Sequence, residues 1–114
     1  MIHITRRPNP FTFEDREKLL DELYGKLKLL LIDKGKEYAG GSEDTLHNFR
    51  SRSGWLDEDA KKILFIDLTK HLDAIKGWAV QGRPLSVEAA DNRMVDALVY
   101  LILLIGLYRQ ENNL

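Results

Sequence analysis

The chain has no cysteine among its 114 residues, which excludes a disulfide framework and any zinc site built on thiolates. Lysine and arginine number 17 against 18 aspartate and glutamate residues, for a net charge of -1. Such a balance provides no general attraction for nucleic acid or for anionic lipid. We therefore expect a cytoplasmic protein whose main partner is not a nucleic acid.

A membrane-spanning run is also missing. The longest apolar stretch, residues 97–108, is about a dozen residues long and is followed by the polar sequence RQENNL. A bilayer crossing needs about 18 or more apolar residues, so this stretch predicts a core helix. The first eleven residues contain two arginines but no apolar run after them, which argues against a secretory signal peptide.

Several catalytic signatures are absent as well. The glycine pair Gly40-Gly41 lacks the lysine and the spacing of a phosphate-binding loop. The three histidines stand far apart, at positions 3, 47 and 71, and form no His-x-x-x-His zinc motif. No serine or cysteine nucleophile lies within a recognisable motif.

What the sequence does contain is helical periodicity. Apolar residues recur at steps of three and four almost throughout, and strand signals are nearly absent. We predict one all-α domain over residues 1–114, an antiparallel bundle of about four helices preceded by an extended arm over residues 1–11. The expected helices run from a Thr12 cap to about Lys36, from a Ser42 cap over Glu43 to about Ser51, from Asp57 or Asp59 to about Val80, and from a Ser86 cap onward.

The last helix combines an apolar surface on all sides with an acid at its entrance. Its apolar surface exceeds what three neighbouring helices readily cover, which predicts a homo-oligomer. Asp96 needs a cation, a metal or several donors if it is buried. An ion pair with Arg93 or Lys70 would satisfy it, and so would a metal. Nearby Glu88 and Asp91 either complement the helix dipole or add acids to such a site.

A histidine lies beside the apolar stripe of the preceding helix. His71 follows Leu64 and Leu68 at helical spacing, so it is either a hydrogen-bonded core residue or a ligand.

The motifs Lys36-Glu37-Tyr38, Asn48-Phe49, Lys70-His71 and Asp96-x-x-x-Tyr100 occur in this order, and the last precedes the leucine-rich sequence LILL. Over residues 30–105 the chain resembles small phage and prophage proteins of the nucleotide-modification-associated type. More distantly, it is similar to the MazG-like all-α nucleotide pyrophosphohydrolases.

The resemblance implies an oligomeric, magnesium-dependent enzyme that cleaves a nucleoside triphosphate to monophosphate and pyrophosphate. It implies Glu37 and Asp96 as magnesium ligands and catalytic residues, with His71 orienting a ligand or water. The substrate, a nucleotide or other phosphorylated small molecule, would meet cations and polar side chains at Lys36, Tyr38, Asn48, Lys70, Arg93 and Tyr100.

The departures from the enzyme pattern keep a second hypothesis open. The enzymes carry an acid three residues before the acid that precedes the apolar run, whereas this chain has Arg93 there. A Glu-x-x-Glu pair is also missing. The alternative is a non-catalytic protein that binds or sequesters a nucleotide, with Arg93 holding phosphate in place of a metal, or a protein-interaction module.

Overall fold

A computed structural model describes residues 9–38, 43, 46–56 and 59–114, and over these residues the fold is all-α without a strand. This confirms the predicted fold class. The helices are α1 (Phe13–Lys28), α2 (Lys34–Tyr38), α3 (His47–Leu56), α4 (Ala60–Ala79) and α5 (Val87–Glu111), and a π-helical segment (Leu29–Asp33) joins α1 to α2 without a break.

Three predicted caps form. The Thr12 hydroxyl accepts from the Asp15 backbone N–H at 3.1 Å, and the Asp15 carboxylate accepts from the Thr12 N–H at 2.9 Å, which completes a capping box. Asp59, one of the two candidates, caps α4, and Ser86 caps α5. The helix starts therefore follow from local chemistry that the sequence displays.

The short helix α3 differs from its expected range. It begins at His47 instead of near Glu43 and continues through Ser53-Gly54 to Leu56. Burial explains the shift, because Leu46 and Phe49 are 6% and 8% exposed and belong to the core. Tertiary packing of this kind outweighs the helix-breaking tendency of one glycine, which costs about 1 kcal/mol. The predicted Ser42 cap lies outside the described residues.

Helices α4 and α5 are antiparallel and form the centre of the bundle. Lys61 near the start of α4 pairs with Glu111 at the end of α5, whereas His71 further along α4 meets Tyr100 and Arg93. Helix α3 packs across one end of this pair. The main buried cluster is there and contains Leu46, Phe49, Ala60, Ile63, Leu64 and Leu107, with Tyr100, Leu103 and Leu104 packed against it.

Helix α1 contributes little to this core. None of its residues is buried, and Leu20 and Tyr24 are 66% and 69% exposed. An ion pair between Lys26 and Asp91 ties the end of α1 to α5. The radius of gyration, 17.8 Å, exceeds the value of about 13 Å expected for a compact chain of this length. The fold is therefore elongated.

The apolar part of α5 is only partly covered. Leu107 is buried, but an exposed stripe runs along the opposite side of the helix at Leu98, Leu101, Ile102 and Ile105. No helix in the described part of the chain has the length and apolar character that a bilayer crossing requires.

Candidate functional site

Three helices bring an aromatic cluster together beside the core. The rings of His71 on α4 and Tyr100 on α5 are stacked, with centroids 5.4 Å apart and planes 28° from parallel. Phe49 on α3 meets the same tyrosine edge-on, at 6.1 Å and 78°. Both geometries are favourable for aromatic pairs. This aromatic cluster of Phe49, His71 and Tyr100 unites three motifs that lie far apart in the sequence.

Arg93 extends the cluster towards solvent. Its Nη1 lies 3.4 Å from Nδ1 of His71, a long hydrogen-bond distance. A guanidinium only donates, so Nδ1 accepts and the neutral imidazole carries its proton on Nε2. The contact thus orients the histidine as an Nε2–H donor. It leaves the other guanidinium donors of the exposed Arg93 available.

A buried carboxylate that the sequence does not single out, Asp67, lies near enough to Tyr100 for its charge to raise the pKa of the phenol. Asp67 is 8% exposed, and its Oδ2 and Oδ1 accept from Arg52 at 2.7 and 3.4 Å. Lys70 adds a more distant contact at 3.8 Å. The hydrogen bond to Asp67 raises the pKa of the Arg52 guanidinium. The sequence does carry a signal for Asp67, because it stands four residues before His71 within the apolar stripe of α4.

Tyr100 is the central side chain of this arrangement. Burial raises the pKa of its phenol, the nearby charges of Asp67 and Asp96 raise it further, and Arg52 opposes them. The phenol therefore stays protonated near neutral pH and is able to donate a hydrogen bond. Phosphate and carboxylate oxygens are suitable acceptors for such a donor.

Asp96 lies where two clefts meet. The polar cleft, of about 420 Å³, is lined by Ser86, Glu88, Ala89, Asn92, Arg93 and Asp96. The apolar cleft, of about 370 Å³, lies between the π-helical segment and α5 and is lined by Lys26, Leu29, Leu30, Asp91, Asn92, Val95 and Asp96. Both clefts share Asn92 and Asp96.

The half-buried Asp96 forms no ion pair or hydrogen bond within the described part of the chain. Neither of the expected ion pairs forms, because Arg93 contacts His71 and Lys70 contacts Asp67. A carboxylate without a partner costs free energy as it is withdrawn from water. Asp96 is therefore available to a cation, a metal or a hydrogen-bond donor from a ligand.

The remaining predicted residues divide into two groups. Lys70 is exposed beside the cluster, and Lys36 is exposed on α2. The side chains of Glu37, Tyr38 and Asn48 lie outside the described residues. The predicted pairing of Glu37 with Asp96 as magnesium ligands thus remains a prediction.

No family model, curated protein or solved structure matches this chain. Its function has to be inferred from the chemistry of the aromatic cluster and of the two clefts.

Proposed function

We propose that the protein binds a nucleotide through its phosphates at the aromatic cluster and the polar cleft. The observation that carries this proposal is the contact of Arg93 with the stacked pair His71–Tyr100, with a second cation, Lys70, next to His71 in the chain. Both cations are exposed, and Lys70 is held only by a 3.8 Å contact with Asp67. Lys70 and the guanidinium donors of Arg93 that do not meet His71 are therefore available to an anionic ligand.

The neutral donors of the site fit the same ligand. Tyr100 offers its phenol, and the Arg93 contact leaves Nε2–H of His71 to donate. Arginine matches phosphate geometry in a bidentate manner, and lysine adds a point charge. Two cations with two neutral donors suit a polyphosphate better than a carboxylate, because a polyphosphate has more acceptor oxygens.

The motifs that resemble those of phage nucleotide-modification-associated proteins supply most of this set, which supports a nucleotide as the phosphorylated ligand. A cytoplasmic location, where nucleotides are abundant, agrees with the absence of cysteine.

Magnesium-dependent hydrolysis to monophosphate and pyrophosphate is the second candidate function, and the unpaired carboxylate of Asp96 favours it. No group of three acids or histidines converges within the described residues to hold a metal by protein ligands alone. Asp96 and Glu88 nevertheless line one cleft, and magnesium bound to a nucleotide needs only one or two carboxylates. Bound there, the ion would activate water and neutralise phosphate charge. Arg93 would hold the phosphates, and Asp96 would hold the ion.

Calorimetry with a panel of nucleoside triphosphates, with and without magnesium, tests the binding function. We expect Arg93→Gln to weaken binding about tenfold or more, because a charge-assisted contact is lost. Arg109→Gln, exposed near the end of the same helix, is the matched control and should bind like the wild type. Equal affinities for the two variants would refute the phosphate contact.

A pyrophosphate assay on the same panel tests hydrolysis. Turnover that requires magnesium and disappears in Asp96→Asn and Glu37→Gln would establish the enzyme. Tight binding without metal and without turnover would establish the sequestering protein instead.

Self-association is the second part of the proposal. The exposed stripe of α5 recurs at steps of three and four residues, the spacing of a helix face that packs against another helix. We propose that a second copy of the chain covers it. Light scattering should show a dimer or larger assembly that Leu101→Glu dissociates, and a monomeric wild-type protein would refute it.

A further inference from the structure

The apolar cleft differs chemically from the polar cleft beside it. Its walls carry Leu29, Leu30 and Val95, and the ion pair between Lys26 and Asp91 borders it. The polar cleft has no large apolar side chain in its lining, where Ala89 is the one apolar residue. At about 370 Å³ the apolar cleft falls within the range of small-molecule sites, roughly 300 to 1,000 Å³. Such a lining suits a ring with polar edges.

The backbone along this cleft is itself unusual. Leu29 and Leu30 are the first two residues of the π-helical segment, which interrupts an otherwise regular helix from Phe13 to Tyr38. π-Helical turns are rare, and they occur frequently at functional sites. Here two residues of the π-helical segment, Leu29 and Leu30, line the apolar cleft.

Asn92 and Asp96 connect the two clefts. They stand one helical turn apart on α5 and line both clefts. The Asn92 side chain has no hydrogen-bond partner among the described residues, and its amide both donates and accepts. A ligand that enters both clefts must pass these two side chains.

We propose that the nucleobase of the nucleotide occupies the apolar cleft, with Leu29, Leu30 and Val95 against its ring and Asn92 hydrogen-bonded to its polar edge. This assignment rests on the proposed function, which places the phosphates at Arg93. The sugar then lies near Asp96, at the junction of the clefts. Asn92 becomes the residue that discriminates between bases.

Binding of inorganic triphosphate and of the four common nucleoside triphosphates, measured by calorimetry, separates this assignment from the proposed function. We expect Leu29→Ala to weaken the binding of nucleoside triphosphates about three- to tenfold, since it removes apolar contact with the ring. Inorganic triphosphate should bind Leu29→Ala and the wild type equally. Leu29 is 48% exposed, so its truncation leaves the core intact.

The matched control is Ile32→Ala, which truncates a residue of the same π-helical segment with 46% exposure that does not line the cleft. It should bind every ligand like the wild type. Asn92→Ala should reduce the differences in affinity among the four nucleotides, whereas Asn9→Ala, at an exposed position ahead of α1, should preserve them.

Two failures are distinguishable. If neither inorganic triphosphate nor any nucleotide binds, the proposed function is wrong and the base assignment falls with it. If inorganic triphosphate binds as tightly as the nucleotides, or if Leu29→Ala weakens both kinds of ligand equally, phosphate binding stands and the base assignment is overturned.

Discussion

Replacing Asp67 with asparagine tests how much the partly buried ion pair between Arg52 and Asp67 stabilises the fold. The side chain of Asp67 is 11% exposed and that of Arg52 is 41% exposed, and two hydrogen bonds at 2.7 and 3.4 Å join them. Hydrogen bonds to charged groups contribute about 1.5 to 3 kcal/mol each. The second bond is long and water reaches Arg52, so the lower limit applies. We expect Asp67→Asn to lower the free energy of unfolding by about 1.5 kcal/mol, which lowers Tm by roughly 5–10 °C.

Urea unfolding followed by circular dichroism measures this loss. The matched control is Glu111→Gln, which breaks the 3.2 Å ion pair between Glu111 and Lys61. The side chain of Lys61 is 51% exposed and that of Glu111 is 39% exposed. Such surface pairs contribute about 0.2–1 kcal/mol. A double-mutant cycle with Arg52→Gln should give a coupling energy of about 1 kcal/mol. If Asp67→Asn costs no more than Glu111→Gln, or if the coupling is zero, the reasoning is refuted.

Three further predictions concern pH, the first helix and the core. Because the folded-state pKa of Tyr100 is raised above 10.0, its contribution to stability is complete below that pH and is lost as pH rises through the folded value. Urea midpoints should therefore fall less steeply above about pH 10 for Tyr100→Phe than for the wild type. Thr12→Ala removes the capping box of a helix without buried residues, so hydrogen exchange should quicken in the first turns of α1 while the urea midpoint stays constant. Leu64 is fully buried, so Leu64→Ala should lower the free energy of unfolding by about 2–5 kcal/mol. Leu101 is 44% exposed, so Leu101→Ala should lower the free energy of unfolding of the monomer by less than about 1 kcal/mol.

The sequence predicts the helices because their signals are local. Thr12, Asp59 and Ser86 each cap a helix through a contact within three residues, and such contacts depend only on neighbours in the chain. The start of α3 depends instead on the burial of Leu46 and Phe49 by helices that come later. Helix boundaries that depend on tertiary packing are therefore harder to predict from the sequence than boundaries that depend on caps.

The same distinction applies to the candidate site. The sequence displays the motifs around His71 and Tyr100 as separate pairs, but the stacking of the two rings depends on the register of α4 against α5. The sequence does not single out Arg52, because its partner Asp67 lies 15 residues away on another helix. The π-helical segment was equally invisible, because four consecutive apolar residues, positions 29–32, offer no periodicity to interrupt.

The packing of Arg93 against His71 changes what the spacing of Arg93 and Asp96 implies about function. The sequence predicts that these two residues of opposite charge, three positions apart, either pair with each other or mark alternative functions, with a metal at Asp96 or a phosphate at Arg93. In the structure Arg93 contacts His71, and Asp96 remains unpaired among the described residues. A phosphate contact and a metal contact are therefore compatible within one site. It follows that Arg93→Gln should weaken nucleotide binding with or without magnesium, whereas Asp96→Asn should weaken only the part of binding that magnesium adds. If Asp96→Asn instead strengthened binding equally in both conditions, its carboxylate would act only by repelling phosphate, and the metal hypothesis would lose its remaining support.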